Sequence, residues 1–438
     1  MPDPCDGRPG RRNTAHADHA VRHGPGGLPD NGGSTAMTML TRTLLCTTLL
    51  TGAALAPAHA QLQQIEPDER STLSAGLHDA GQAAWNMELV HALTPPEGFY
   101  DPEANFAPAD FMAAMQARRA AQEAAEEAGE EIAEEDLPPL PRYVPLALAN
   151  TDIAFSGPNM FVGNYHGFNV YNIEGDGPPE LAASVVCTGG QNDVSVHGDL
   201  LFMSVEHNRA RLDCSAGDPQ AEVSAERFRG IRIFDISDLS NIRQVGAVQT
   251  CRGSHTHTLV PDPSDPGRLY IYNSATSSVR ASDELDICSD GQPEDNPETA
   301  LYSIDVIEVD LDDPGSARIV NRPRIFGDSE TGEIAALWRG GRAGVATQRT
   351  ATTNHCHDIT VYPDLGIAAG ACSGNGTLLD ISDPANPARI DEIFDPDMAY
   401  WHSATFNNTG DTVLFTDEWG GGIGARCTAD SPANWGAN

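Results

Sequence analysis

Two stretches of the sequence determine the expected fold: GIRIFDISDLSN at residues 230–241 and GTLLDISDPANP at residues 376–387. Each is a run of alternating apolar and polar residues that ends in a turn rich in Asp, Ser, Asn or Pro. Similar runs occur as GFNVYNI at 167–173 and SIDVIEVDLDDPG at 303–315. The pattern therefore predicts a strand followed by a turn, repeated along the chain.

Another short element, the first-strand element, precedes each of these runs and occurs once more after the last. It reads TDIAF, NDVSV, HTLVP, HDITV and HSATF, beginning at residues 151, 192, 257, 357 and 402. A further strand-like run follows each copy, and polar inserts near 207–228, 275–300 and 327–353 account for the longer intervals. Four strands in roughly 40–45 residues is the period of a β-propeller blade. We therefore expect an all-β fold, a β-propeller of four-stranded blades with about four to five blades present.

At this point the sequence resembles a known family. The runs IRIFDISDLSN and GTLLDISDPANP resemble the repeat of the LVIVD family of secreted or cell-surface β-propeller proteins. The resemblance covers residues 146–424, and the NMELV…PPEGF segment before it resembles the N-terminal extension of some members. It implies a propeller and an exported location. It supplies no biochemical activity, because the family has no general assigned function.

The C-terminal region begins another repeat that the chain does not complete. After the last first-strand element the sequence runs into EWGGGIGARCTADSPANWGAN, which carries Cys427, a cysteine with no evident partner. We therefore expect a propeller that is truncated at its C-terminus. A closed ring of about five blades, with residues 61–145 as an appendage, is the alternative.

The N-terminal part of the sequence predicts export. Residues 1–36 are polar and without apolar periodicity, and we interpret them as a non-native upstream extension. Residues 37–60 have the single Arg, apolar run and small-x-small ending of a secretory signal peptide. Residues 61–145 are expected to form an N-terminal extension with an acidic helix at 108–136, followed by the propeller at 146–438. We expect no transmembrane segment and a secreted, periplasmic or cell-surface location.

The charge balance excludes several function classes. The chain has 63 acidic and 26 basic residues, a net charge of −37, and every basic residue is Arg. The absence of Lys excludes Schiff-base, P-loop and Ser-Lys chemistry. A surface this acidic repels phosphate backbones, so we expect no nucleic-acid partner. Arg227, Arg229 and Arg252 flank the predicted strand ends; they could clamp an anion, and solvated side chains are the default interpretation.

The cysteines of the predicted propeller form a repeated pattern. Cys187 and Cys251 each lie shortly before a first-strand element, while Cys214 and Cys288 lie in the insert of the repeat that follows. The predicted disulfides are Cys187–Cys214, Cys251–Cys288 and Cys356–Cys372, the last at the open end of a hairpin. Because Cys-x-x-Cys spacing is absent, zinc-ribbon and thioredoxin chemistry are not indicated.

Histidines recur at one position of the repeat. His257, His357 and His402 begin the first-strand element in three of its copies. In a propeller this position lies at one mouth of the axial channel, so side chains from different blades can meet there. Imidazole with carboxylate suits Zn, Cu or Fe, and we predict these histidines as metal ligands. The alternative is that polar residues at this position hydrogen-bond the neighbouring blade.

Other polar residues belong to the same predicted mouth. The predicted ligand-binding residues are Asn192, Asp193, His255, His355, Asp358 and Glu418. His255 and His355 lie two residues before a predicted metal ligand, on the same face of an extended strand. Glu418 and Asp358 are the candidates for a catalytic base.

The sequence leaves two classes of function open. We favour an extracytoplasmic binding or interaction protein, whose partner is an unidentified extracellular protein or small ligand. The alternative is a metal-dependent enzyme, an oxidoreductase or a hydrolase, with the three histidines as ligands. The fold does not decide between them, because propellers include both enzymes and binding proteins.

Overall fold

The computed structural model describes residues 72–76, 80–99, 108–128, 132–133, 136–138, 150–208, 210–215, 219, 223–328, 330–344, 347–419, 432 and 435. The chain divides into two compact units, Met1–Glu88 and Leu89–Asn438. The predicted upstream extension at 1–36, the predicted signal peptide at 37–60 and Cys427 lie outside the described residues. The helix and strands given below all belong to the second unit.

Strands that are consecutive in the chain pair side by side in antiparallel sheets. The first sheet contains β1 (Asn150–Ser156), β2 (Asn159–Asn164), β3 (Gly167–Asn172) and β4 (Glu180–Val186). The second contains β5 (Val194–His197), β6 (Leu200–Val205), β7 (Gly230–Asp235) and β8 (Arg243–Gln249). The third contains β9 (Thr256–Pro261), β10 (Arg268–Ser274), β11 (Asp305–Asp310) and β12 (Arg318–Asn321).

The rest of the chain repeats this arrangement after a short ribbon. The ribbon pairs β13 (Gly341–Arg342) with β14 (Arg349–Thr350) inside the predicted insert. The fourth sheet contains β15 (Asp358–Tyr362), β16 (Ile367–Cys372), β17 (Asn375–Asp380) and β18 (Ala388–Ile393). β19 (Trp401–Phe406) and β20 (Val413–Asp417) form a two-stranded sheet. The predicted all-β class and the predicted strand positions are confirmed.

The hydrophobic cores lie between successive sheets. Phe161 and Phe168 of the first sheet pack with Leu201 and Met203 of the second. Equivalent clusters join the second sheet to the third, the third to the fourth, and the fourth to β19 and β20. This face-to-face stacking places the first strands β1, β5, β9, β15 and β19 next to one another in that order.

Polar side chains connect these neighbouring first strands. The carboxylate of Asp152 accepts a hydrogen bond from Val194 N at 3.1 Å, and that of Asp193 accepts one from His257 N at 3.0 Å. Further along, Thr360 Oγ1 donates to Ala404 O at 2.6 Å. Each bond satisfies a backbone group of a first strand, which is the edge strand of its sheet.

The third strand of the first sheet and that of the second sheet both begin at a glycine that the backbone requires. Gly167 begins β3 with φ of 144°, and Gly230 begins β7 with φ of 141°. A Cβ atom would lie 1.8 Å from Val185 O at the first position and 2.0 Å from Val248 O at the second. Only glycine fits these two positions, because both the backbone angle and the approach of the fourth strand exclude a side chain.

The acidic helix is present but differs in extent from the prediction. α1 covers Pro108–Ala128 rather than 108–136. It belongs to the compact unit Leu89–Asn438, and the boundary between the two units falls within the predicted N-terminal extension at 61–145. Among the described residues, none of the helices has the length and apolar character that crossing a membrane requires.

All three predicted disulfides are formed: Cys187–Cys214, Cys251–Cys288 and Cys356–Cys372. The first two fasten the inserts that follow β6 and β10 to the segment just before a first strand. Closing loops of this size contributes about 3 kcal/mol each in the chain-entropy description. Such bonds fit an oxidising compartment.

Candidate metal centre

A cleft of about 700 Å³ opens where the first strands begin. Side chains from several neighbouring sheets line it, including Asp193, His255, His357, Asp358, His402 and Glu418. These are six of the residues that the sequence assigned to one mouth. The repeat register therefore predicted which strand ends come together.

Three of these side chains form a compact group of metal-ligand type. Within the described part of the chain, ligand atoms of His357, His402 and Glu418 lie within 4.8 Å of one another. His357 Nε2 is 4.0 Å from Glu418 Oε2, and His402 Nε2 is 3.8 Å from Glu418 Oε1. His357 immediately precedes β15, His402 belongs to β19, and Glu418 immediately follows β20. Two imidazoles and a carboxylate converge at one point of the cleft.

The tautomer of His357 suits a metal ligand. Its Nδ1 lies 2.8 Å from the backbone carbonyl of His402. Because a carbonyl only accepts hydrogen bonds, Nδ1 carries the hydrogen and Nε2 presents its lone pair toward Glu418. Burial, together with the charges of His255 and His402, lowers the pKa of His357 to about 3. The ring is therefore neutral at physiological pH.

His255 lies beside this group but has a different partner. Its Nδ1 is 2.9 Å from Glu206 Oε2, and its ring packs edge-on against that of His357 at 4.3 Å. Burial alone would lower the pKa of His255, but the hydrogen bond to Glu206 and its charge outweigh burial and raise it. The same pairing, against the effect of burial, lowers the pKa of Glu206 to about 2. The two side chains pair beside the cleft, and this pairing favours the protonated imidazole and the ionised carboxylate.

His355 supports the cleft indirectly, through Tyr400. Its Nε2 lies 3.2 Å from Tyr400 Oη and 3.0 Å from Ser373 Oγ, while Nδ1 is 3.3 Å from an Arg252 nitrogen. Burial and the charge of Arg252 lower its pKa well below the ordinary value. Tyr400 lines the cleft and packs against His357, with ring centroids 5.6 Å apart. The sequence predicts His355 as a ligand-binding residue, but the structure places it behind Tyr400, which it hydrogen-bonds and which lines the cleft.

His257 does not join the ligand group, which corrects the predicted set of three histidines. Its Nδ1 is 2.8 Å from Asp193 Oδ2 and 2.8 Å from Ser204 Oγ, and its side chain is fully buried. Asp193 reaches this ring because it immediately precedes β5, the first strand next to β9. The alternative interpretation, hydrogen bonding to the neighbouring sheet, applies to His257 and Asp193.

Asn192 is also a structural residue rather than a ligand residue. It is buried and adopts φ of 47°, the left-handed region that Asn tolerates better than most residues. Its Nδ2 donates to Asn164 O at 2.7 Å and to Cys187 O at 3.4 Å. The side chain therefore stabilises the turn before β5, and its donor group is used within the fold rather than for a ligand.

We expect Asn192→Ala to lower the free energy of unfolding by about 2 kcal/mol, since it adds strain at positive φ and leaves two carbonyls without their donor. Urea denaturation measures the change. Gln191→Ala is the matched control, because the neighbouring residue lines the cleft, and it should change stability by less than about 0.5 kcal/mol. Wild-type stability in Asn192→Ala would contradict the structural role.

Asp358, which lines the cleft, and Asp417, which does not, have different environments. Asp358 lines the cleft next to His357, and burial followed by the charge of Asp193 raises its pKa to about 6. Asp417, the last residue of β20, accepts hydrogen bonds from Ala399 N at 3.1 Å and Tyr400 N at 2.8 Å. The Asp358 carboxylate can therefore contact a ligand in the cleft, whereas the Asp417 carboxylate binds backbone N–H groups of the segment before β19.

Tyr400 and Arg119 line the cleft but were not predicted. A signal for Tyr400 exists: it precedes His402 by two residues, as His255 precedes His257 and His355 precedes His357. Arg119 belongs to α1, and no repeat relates the helix to the sheets.

Comparisons with known proteins give only distant likenesses. No family model and no curated protein matches the chain. It is similar to a functionally unknown protein from Desulfotomaculum acetoxidans (13% identity, 62% of this chain and 64% of that chain, TM-score 0.36). It is also similar to a hypothetical selenium-binding protein from Sulfolobus tokodaii (12%, 61% and 57%, 0.38) and to a luciferin-regenerating enzyme (10%, 65% and 73%, 0.33). The chain spans less than two thirds of the first two structures, and likenesses this distant carry no functional argument.

Proposed function

We propose that this protein binds a divalent transition metal ion through His357, His402 and Glu418. The observation that supports it is the convergence of the three ligand atoms within 4.8 Å, beside an open cleft. The hydrogen bond from His357 Nδ1 to a backbone carbonyl adds support, since metal-bound histidines usually donate their second nitrogen in this way.

The types of ligand restrict which metal ions this site can bind. Two imidazoles with one carboxylate favour Zn or Fe, imidazole also suits Cu, and the hard cations Ca and Mg prefer all-oxygen sites. Three protein ligands leave at least one coordination position for water or a small ligand. If the centre is catalytic, as in an oxidoreductase or a hydrolase, Asp358 is the nearby carboxylate that can act as a base.

We infer further that the stacked sheets are blades of a β-propeller of the LVIVD type, and that the protein works outside the cytoplasm. Face-to-face packing of successive four-stranded sheets and the adjacency of their first strands support the propeller. The disulfides and the predicted signal peptide support the location. The metal centre then lies at the mouth of the axial channel.

A binding protein that needs no metal is the second candidate. The inserts after β6 and β10 favour it, because disulfides restrain both and so reduce the entropy lost when a loop binds a partner. The two candidates differ in whether the cleft holds a metal.

The test is the metal content of the full-length protein purified without a His-tag, followed by Zn²⁺ and Co²⁺ titration. We expect about one ion per chain, the number that one set of three ligands holds. An acidic protein also attracts cations non-specifically, so Glu418→Gln is compared with Glu180→Gln, an exposed glutamate of β4. The first should weaken binding at least tenfold and the second should not. A wild-type protein that binds neither ion, or equal binding by both variants, would overturn the proposal.

A further inference from the structure

A second cavity, of about 970 Å³, lies beside the disulfide-tied inserts. Arg227, Arg229, Arg280 and Arg322 line it, in a chain whose net charge is −37. The first three are only 7%, 2% and 6% exposed. The default interpretation of Arg227 and Arg229 as solvated side chains is therefore wrong. Both are held on the same side of their segment, with the buried Phe228 between them.

One carboxylate holds two of these arginines. Glu284 Oε1 accepts from Arg280 Nε at 2.6 Å, and its Oε2 pairs with Arg227 and accepts from Ser224 N at 2.9 Å. The side chain of Glu284 is 2% exposed. One negative charge therefore faces two positive charges, and the trio keeps a net positive charge in a buried position.

Arg229 adds a further buried positive charge, and the groups that its guanidinium hydrogen-bonds are neutral. It donates to Asn208 Oδ1 at 3.1 Å and to Ser278 O at 2.9 Å, while its buried Nε has no acceptor. Within the described part of the chain, no carboxylate forms an ion pair with it. Burial and the charge of Arg280 lower its pKa to about 10, against the opposing charges of Glu206 and Glu284. A buried charge that no carboxylate contacts directly is costly, and a bound anion in contact with it would relieve that cost.

The walls of the cavity are fixed before any ligand arrives. The Cys251–Cys288 disulfide closes one side, and Arg280 N donates to Cys251 O at 2.9 Å. The Arg280 side chain also donates to Gln249 Oε1 at 2.7 Å. Guanidinium groups held in this way lose little entropy on binding, so an anion meets donors that are already oriented.

We propose that this cavity binds the oxyanion group of a small organic anion, a carboxylate, sulfate or phosphate, with Arg229 as its principal cation. The volume fits a small molecule. The other carboxylates that line the cavity are exposed at its rim, where water screens them: Asp283, Asp286, Asp290 and Glu298. They disfavour a polyanion such as a nucleic acid, which would have to lie across the rim, but not a small anion that reaches the buried guanidinium.

Isothermal titration calorimetry with inorganic sulfate, inorganic phosphate and citrate, at constant ionic strength set with NaCl, tests the proposal. We expect at least one of the three to bind. Preference for citrate would identify a carboxylate ligand, and preference for an inorganic anion would identify a sulfate or phosphate group. In Arg229→Gln the affinity should fall at least tenfold. Arg243→Gln is the control and should bind as the wild type does, because this arginine of β8 is exposed and pairs with Asp235 of β7.

Arg229→Lys covers the case in which Arg229→Gln does not fold. Lysine keeps the charge but loses the planar fork that binds two oxygens, so the affinity should fall at least threefold. Absence of binding by wild-type protein to all three anions would overturn the proposal, as would wild-type affinity in the Arg229 variants. The cavity shares no residue with the metal-ligand group, so its test is independent of the metal test.

Discussion

Replacing His402 by Ala should abolish metal binding and leave the protein folded. The side chain is 39% exposed, and its Nε2 lies 3.8 Å from Glu418. Its loss removes one of three ligands. Replacing a residue that only hydrogen-bonds a metal ligand weakens metal affinity about 10–100-fold, so we expect the loss of a ligand itself to weaken it about 100-fold or more. The free energy of unfolding of the metal-free protein should change by less than about 0.5 kcal/mol, as is usual for partly exposed sites.

Replacing His257 by Ala should have the opposite effect. This fully buried ring is bonded to Asp193 and Ser204, so its removal takes away the side-chain partner of a partly buried carboxylate and opens a cavity. We expect the free energy of unfolding to fall by about 3 kcal/mol, with metal affinity within a factor of three of the wild type.

Co²⁺ titration and urea denaturation of both variants measure these effects. Loss of the metal in both would restore the three-histidine site that the sequence predicted. Retention of the metal in His402→Ala would contradict the ligand group found in the structure. Because the two histidines occupy the same repeat position, each variant is the matched control of the other.

The sequence could predict the position of these histidines but not their role. Asp193, one place after the repeat position in the second sheet, holds His257 of the third sheet. The equivalent residue of the third sheet is Thr258, whose hydroxyl donates to the backbone carbonyl of Ile359. Thr258 therefore does not bind the His357 ring as Asp193 binds the His257 ring. The neighbour across the sheet boundary therefore decides which histidine is structural. That neighbour is known only once the register between sheets is known.

The strands were predictable because alternation and turns are local, and the fold repeats them. The mouth residues Asp358 and Glu418 were predictable because they end or begin such strands. The cavity lined by Arg227, Arg229, Arg280 and Arg322 could not be predicted, because its walls come from inserts that have no counterpart in the other repeats. Only the Arg-Phe-Arg alternation at 227–229 signalled that two guanidinium groups share a side.

Glu284→Gln should cause the largest loss of stability among the substitutions considered. The variant keeps the volume of the side chain but leaves Arg227 and Arg280 buried without a counter-charge. Breaking a buried ion pair by removing one partner costs about 3–5 kcal/mol. Glu226→Gln is the matched control, since its carboxylate is 65% exposed and pairs with Arg211 at the surface, where an ion pair contributes at most about 1 kcal/mol.

The pH dependence gives this prediction a second, independent readout. Burial alone would raise the pKa of Glu284, but the hydrogen bond from Ser224 N and the pairs with Arg280 and Arg227 outweigh it and lower the pKa below 4.5. A carboxyl group with a lowered folded-state pKa stabilises the protein above its ordinary pKa, and this contribution is lost as the pH falls through the folded-state value. In urea denaturation the stability difference between wild type and Glu284→Gln should therefore be constant at neutral pH and shrink as the pH falls below about 4.5. A difference that persisted unchanged in acid would mean that the variant acts through packing, and a difference no larger than that of Glu226→Gln would mean that the two arginines do not depend on this carboxylate.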